Sequence, residues 1–256
     1  MLMAIDIGNT NTVFALFKGD KVEHFWRCRT DTARSVDEYA VFLRPLFDMA
    51  GVEWSDVRDV MICSVVPEAD LHIERFSIKY LSRKPFFVTA ASVKGVKIDL
   101  DRPAELGADR IVNAVAVVEH YRTPAVVIDF GTATTFDVID NHGTYRGGVI
   151  APGVRLSIEA LHSRAAKLPK VSIQKPPAVI GRNTVDAMQS GMYWGYIGLI
   201  EGIVRQIREE IGAELFVLAT GGLAVLYAEG TEIIEEVDEH LTLKGLLKIY
   251  QDHKSK

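Results

Sequence analysis

Two stretches of the chain share one alternation of apolar and polar positions. An apolar run from Leu2 to Ile5 ends at Asp6; Gly8 and the small polar residues Asn9, Thr10, Asn11 and Thr12 follow, and a second apolar run closes in a turn at Lys18-Gly19-Asp20. The same order returns without a gap in Ala125 to Ile128, Asp129, Gly131, the threonines Thr132, Thr134 and Thr135, a further apolar run and the turn Asn141-His142-Gly143. The offset is 129 minus 6, or 123 residues, close to half the chain. Each copy reads as a β-hairpin bent at its Asp-x-Gly segment, because apolar runs broken by glycine and hydroxyl residues suit a tight reversal. Self-similarity at that spacing points to an internal duplication.

Around the hairpins strand and helix patterns alternate. Tyr39, Val41, Phe42, Leu43, Leu46 and Phe47 mark a helix face over 37–50; an apolar run over 57–66, stopped by Pro67, is a strand; helix, strand and helix follow over 69–82, 85–89 and 108–121. In the second half the pattern predicts helices over 158–166 and 184–211, a strand over 215–219 and the start of a helix over 223–228. The stretch 147–153 reads as a glycine-rich link from hairpin to helix, and Gly181-Arg182-Asn183-Thr184 as the cap of the long helix. Mixed elements in two similar halves predict two α/β domains with a cleft between them, 1–123 and 124–256, divided at Thr123-Pro124. The least ordered parts are expected at 167–177, which holds three prolines, and in the tail from Gln251.

Composition narrows the function. Of 256 residues, 29 are Lys or Arg and 34 Asp or Glu, a net charge of -5, which argues against a duplex nucleic-acid binder. No apolar run has the length of a membrane span, and the start of the chain lacks the basic and apolar regions of a secretion signal. Cys28 and Cys63 form no CxxC pair, which fits a reducing, cytoplasmic compartment. The seven histidines have no ligand spacing, and the HExxH, GxSxG, GxxxxGK[ST] and GxGxxG signatures are missing.

The Asp6 hairpin suits a nucleotide phosphate. Backbone N–H groups and hydroxyls would hold the oxygens, while the acid would hold a hydrated Mg²⁺. A single copy is equally well explained as a polar turn. The second copy shifts the balance, because Asp6 and Asp129 facing each other would repel until cations and a polyphosphate relieve them. Gly221-Gly222, after Thr220, could let a flat ring rest on bare backbone, although a double glycine alone is no more than a turn. Gly107-Ala108-Asp109-Arg110 opens a helix; Asp109 is either a first-turn acid favoured by the helix dipole or a general base beside a cation for an anionic substrate. Spacing by itself favours the first. Gly191, Gly195, Gly198 and Gly202 share one face of the long helix, for packing within the domain or against a second subunit.

Six motifs in order, Asp6 to Thr12, Glu105 to Arg110, Asp129 to Thr135, Gly147 to Gly153, Ile180 to Thr184 and Thr220 to Gly222, make the chain resemble type III pantothenate kinase over nearly its whole length. The resemblance implies two ribonuclease-H-like domains related by duplication, as in actin, hexokinase and acetate kinase. It implies transfer of the ATP γ-phosphate to the primary hydroxyl of pantothenate, the first step of coenzyme A synthesis, in a cytoplasmic homodimer. By position, Asp6, Ile7, Gly8, Asn9, Thr10, Asn11, Thr12 and Val13 correspond to the first phosphate loop, with Mg²⁺ at Asp6, and Thr132, Gly221 and Gly222 to further ATP contacts. Asp129 corresponds to the ligand of a monovalent cation, potassium or ammonium. Gly107, Ala108, Asp109 and Arg110 correspond to the pantothenate loop with Asp109 as base, and Thr184 to another pantothenate contact. Two positions depart from the family pattern: Ala15, where glycine is usual, and Leu100, near which members often carry a tyrosine. A regulatory relative that has lost the reaction would not need Asp6, Asp109 and Asp129 together, and a sugar or acetate kinase would carry a different acceptor loop.

Overall fold

The computed structural model describes residues 1–165 and 167–254 and divides into two compact units. One holds residues 1–96, 101–120 and the chain from Leu241 onward; the other holds residues 97–100 and 121–240.

The first unit starts as an antiparallel meander of β1 (Leu2–Ile7), β2 (Asn11–Lys18) and β3 (Lys21–Arg29). Helix α1 (Val36–Ala50) leads to β4 (Asp59–Ser64), which lies parallel to β1, and α2 (Pro67–Leu81) leads to the short β5 (Phe86–Phe87), giving the order β3-β2-β1-β4-β5. The central strand β1 is apolar on both faces, since Met3 and Ile5 are buried with Ala4, as a strand covered on both sides requires. Ser35 and Glu38 close a capping box at the start of α1, and Gly51, at φ 67°, ends it in the left-handed region. Helix α3 (Ala108–His120) completes the first repeat.

The second unit repeats the plan. It comprises β6 (Lys97–Ile98), the meander β7 (Ala125–Phe130), β8 (Ala133–Ile139) and β9 (Thr144–Pro152), helices α4 (Val154–Arg164) and α5 (Thr184–Ile211), then β10 (Phe216–Gly221), α6 (Ala224–Ala228) and β11 (Glu236–Val237). Its order, β11-β10-β7-β8-β9-β6, is the first sheet again with β6 added at one edge. Strand β10 lies parallel to β7 as β4 does to β1, with Asp129 opposite Thr220 and Asp6 opposite Cys63.

Several expectations are corrected. The stretch 147–153 is mostly strand β9, and β3 is also a full strand; β3 is a sheet edge and β9 has only the two-residue β6 outside it, and both carry many exposed or polar positions, which weakens their apolar signal. The last helix, α7 (Leu241–Lys254), takes in Gln251 and belongs to the first unit, not to the second domain expected over 124–256. There it packs on α3 so closely that a Cβ on Gly245 would lie 2.1 Å from the Val112 carbonyl oxygen. Helix α4 ends at Arg164, and the expected helical end at Ala166 lies outside the described residues, as do the last two residues of the tail. No helix among the described residues is long and apolar enough to cross a membrane.

The ungapped repeat conceals two compensating changes of turn length. In the first hairpin Ile7 pairs with Thr12 and leaves 8–11 in the bend; in the second Phe130 pairs with Thr134 and leaves only 131–133. At the far end the first unit turns on Gly19 and Asp20 alone, whereas the second uses 141–143. Strand β8 is therefore displaced by one residue from its apparent partner, and because side chains alternate across a sheet, such a slip exchanges faces. Thr12 matches Thr134, not Thr135, and Ala15 matches Asp137. The register shifts between Leu16 and Phe17 and between Val138 and Ile139 fall at matching places in this corrected pairing.

Candidate active site

In the first unit three segments meet. The bend after Asp6 is closed by the Gly8 N–H donating to the Asn11 carbonyl at 3.0 Å. Thr30 braces it: its N–H donates to the Thr10 carbonyl (3.0 Å), its hydroxyl to the Gly8 carbonyl (2.6 Å), and its oxygen lies 2.9 Å from that of Thr12. Asn9, Thr10 and Asn11 are exposed and Gly8 is half-buried, so this short arc is what a phosphate would meet. Ile7 and Thr12, also expected in the phosphate loop, are wholly buried. They hold the bend from beneath, Thr12 through its contact with Thr30, and Val13 follows half-buried within β2.

The second segment is the end of β4. The Val65 N–H donates to the Ile7 carbonyl at 3.1 Å, tying this turn to the hairpin. The third segment, Gly107 to Arg110, rests on it, since a Cβ on Gly107 would lie 3.6 Å from Val65 Cγ1. That Cβ would also lie 2.7 Å from Asp109 Oδ1, so glycine leaves room for the carboxylate to fold back. Asp109 sits half-buried in the first turn of α3 and accepts from the Arg110 N–H at 2.8 Å. Burial pushes its carboxyl above the usual range, against the pull of the Arg110 N–H and guanidinium. A carboxylate raised in this way, in a segment resting on the turn that is tied to the Asp6 hairpin, is suited to accept a proton. Ala108 is buried under the turn, and Arg110 is half-buried beside Asp109.

The second unit gathers Asp129, the bend at 131–133 and the glycines after β10. Gly221 has φ 89°, and a Cβ there would come within 2.7 Å of Asp129 Oδ1 and 2.8 Å of the Phe130 N and O. Only glycine fits beside that carboxylate. Nothing lies within 4 Å of the corresponding point on Gly222, which leaves open space over its backbone. Thr132 is exposed at the bend, whereas Thr134 is buried with no hydrogen-bond partner for its hydroxyl among the described residues. Thr135 donates instead to Asp137 at 3.3 Å. Thr184 is exposed in the first turn of α5, where Asn183 caps the helix by accepting from the Asp186 N–H. Leu100 lies over Gly147 of β9.

Among the described residues no three His, Cys, Asp or Glu side chains converge on a metal site. Asp6 or Asp129 could contribute a single carboxylate, which fits an ion that keeps its waters and draws further oxygens from a substrate phosphate. The glycine face of α5 is open: no described atom lies within 4 Å of an added Cβ at Gly191, Gly195, Gly198 or Gly202. Packing within the unit does not use it. Two polar pairs escaped the sequence reading, Ser64 with Asp70 and Asp137 with Tyr145, because each joins residues on different elements.

The family model for type III pantothenate kinase matches residues 2–206. A type III pantothenate kinase from Paramagnetospirillum magneticum is 52% identical over 252 residues, covering 98% of this chain and 97% of the relative. Among solved structures, a conserved putative Baf family transcriptional activator from Campylobacter jejuni is similar with a TM-score of 0.64 at 19% identity, over 99% of this chain and all of the other. A putative 2-dehydro-3-deoxygalactonokinase from Sinorhizobium meliloti gives a TM-score of 0.60 at 12% identity, covering 98% and 96%. At such identities these two likenesses speak for the fold alone.

Proposed function

The chain belongs to the type III pantothenate kinase family, and from that premise we propose how its residues divide the work of the reaction. The reaction is ATP-dependent phosphorylation of pantothenate in coenzyme A biosynthesis, on a duplicated fold of the actin and hexokinase kind. Asp109 is the general base. The observation that carries this assignment is the half-buried carboxylate folded over Gly107, joined through Val65 to the Asp6 bend. It takes the proton of the pantothenate primary hydroxyl as that oxygen attacks the γ-phosphorus of ATP and ADP departs. Arg110 supplies a cation for the pantothenate carboxylate, and Gly107, Ala108 and Thr184 shape the rest of that site.

The exposed arc Gly8 to Asn11 receives phosphate oxygens through backbone N–H groups and side-chain donors, while Thr132, Gly221 and Gly222 serve the remainder of the nucleotide. Asp6 would hold Mg²⁺ through water, and Asp129 a monovalent cation, potassium or ammonium; such ions neutralise charge on the phosphates. Wild-type turnover should therefore be higher in potassium or ammonium than in sodium, and Asp129→Asn should lose that difference; equal wild-type rates in sodium and potassium would remove the cation from this reading. Asp109→Asn keeps the shape and removes the basic oxygen, so kcat should fall at least ~100-fold while ATP still binds. A variant within threefold of wild type would return Asp109 to the role of a helix-turn acid.

The open glycine face of α5 is the surface for a second copy of the chain, making a homodimer. Val149 of β9, Leu199 and Ile203 line a groove of about 390 Å³ beside Gly198 and Gly202. Gly198→Leu should therefore be tolerated by the chain's own packing yet shift light-scattering mass from dimer to monomer. A Gly198→Leu protein that stays dimeric would place the interface elsewhere.

A further inference from the structure

We propose that Ser64 and Asp70 are a positioning pair for the proton acceptor, fixing the turn at the end of β4 on which Gly107 and the Asp109 carboxylate rest. The inference rests on the reading of Asp109 as base and adds residues that neither the motifs nor the likenesses point to.

One hydroxyl does two things here. Ser64 Oγ donates to Asp70 Oδ1 at 2.5 Å and accepts from the Val66 N–H at 3.2 Å, linking the strand end, the turn after it and the beginning of α2. Both residues are half-buried. On the other side of the turn the Val65 N–H is bound to Ile7, and the Val66 carbonyl accepts from the Ala69 N–H at 2.9 Å. Val65 is thus held from both sides, with Cγ1 presented toward Gly107.

The duplication isolates what is special about this serine. Ser64 stands opposite Ile7 where Gly221 stands opposite Phe130 in the second unit. There a Cβ would strike the Asp129 carboxylate, so glycine is forced. The first unit accommodates a side chain at the matching place and uses its hydroxyl to anchor the turn to α2. A hydroxyl bonded to a nearby backbone N–H is a common turn device. The added bond to a half-buried carboxylate makes the anchor stiffer, because burial pushes the Asp70 carboxyl up and the Ser64 hydroxyl is what favours its charged form. A base displaced by a fraction of an ångström loses much of its effect on the transition state while nucleotide binding is spared.

The test is steady-state kinetics on Ser64→Ala, Asp70→Ala and the conservative variants Ser64→Thr and Asp70→Asn, with melting curves and Asp109→Asn alongside. Both alanine variants should lower kcat ~10-fold with the KM for ATP within about twofold, and both conservative variants should recover most of it. Val65→Ala, which leaves the pair intact but removes the contact under Gly107, should lower kcat severalfold, and it keeps the test decisive if an alanine variant does not fold. Wild-type kcat in folded Ser64→Ala, Asp70→Ala or Val65→Ala, beside an inactive Asp109→Asn, overturns the positioning role alone. Near-wild-type kcat in Asp109→Asn overturns the base assignment and this inference with it.

Discussion

The two hairpins have the same strands and different bends. In the first, Thr30, the residue after β3, is a strut bonded to Thr10, Gly8 and Thr12, and the arc from Gly8 to Asn11 stands open to solvent. In the second, Gly153 takes the place of Thr30 and its N–H makes the matching bond to the Thr132 carbonyl at 3.1 Å. No strut is possible there, because a Cβ on Gly153 would lie 2.1 Å from that carbonyl oxygen. The bend is one residue shorter, the backbones close up, and the Asp129 carboxylate is left against Gly221. Duplication kept the sheet, which buried apolar residues specify, and let the bends diverge, which little beyond local sterics specifies. One bend presents an arc of donors and the other a single acid beside bare glycine.

Exchanging the bend residues should break the comparison most forcefully. Gly153→Thr must push the 131–132 backbone aside and should cost ~4 kcal/mol or more, while Thr30→Gly loses only side-chain hydrogen bonds and should cost about 1–3 kcal/mol. Urea unfolding of both variants measures the asymmetry; equal losses would mean that the bends are interchangeable. Next comes the buried pair at the matched positions Ala15 and Asp137. Asp137 accepts from the Tyr145 hydroxyl at 2.6 Å, but the residue corresponding to Tyr145 in the first unit is Val22. Ala15→Asp would bury a carboxylate without that partner and should destabilise by roughly 3–5 kcal/mol, against about 1.5–3 kcal/mol for Tyr145→Phe. Denaturant midpoints in the reverse order would show that the environments do not differ as described.

A subtler contrast lies in the bends' threonines. Thr12→Val leaves Thr30 short of one contact and should cost about 1 kcal/mol, whereas Thr134→Val removes a hydroxyl that has no partner and should be neutral or slightly stabilising. Thermal melts of the two variants resolve this, and a loss at Thr134 equal to that at Thr12 would reveal a bond to a ligand or water. The helices that close the repeats give the smallest stability signal. Their second residues are Asp109 in α3 and Thr242 in α7. Burial holds the Asp109 carboxyl protonated to higher pH in the folded chain than in the unfolded one. Its contribution is therefore intact below the unfolded carboxylate pKa, near pH 4, and is lost as pH rises through the raised native value. Asp109→Asn should melt slightly above wild type at neutral pH, with the gain vanishing on acidification. A gain that grows on acidification would reverse the sign of the shift.

Much of this was legible in the residues. The repeat, the strands β1, β4, β7 and β10 and the helix α5 follow from apolar runs and from stop signals such as Pro67 and Asn183. The six motifs point to the family because acids, glycines and small hydroxyl or amide residues recur in them in a fixed order along the chain. The strands β3 and β9 were harder to see, since a strand at a sheet edge, or next to the two-residue β6, tolerates Glu23, Arg27, Gly147 and Gly148. The last helix was hidden by its place at the end of the chain, although Leu241, Leu243, Leu246 and Ile249 carry a buried stripe.

By itself the sequence determined the duplicated α/β plan and the membership of the family, and it marked the segments proposed for phosphate and acceptor, because apolar periodicity and glycine placement are local properties of the chain. The tertiary structure alone decided which residues line those segments and which support them. It set Thr12 beneath its bend, moved β8 by one residue relative to the apparent repeat, and returned α7 to the first unit. It also joined Ser64 to Asp70 and brought Val65 under Gly107. These are matters of register and of contact between distant elements, fixed by how side chains fill a common core, and one-dimensional spacing carries no record of them.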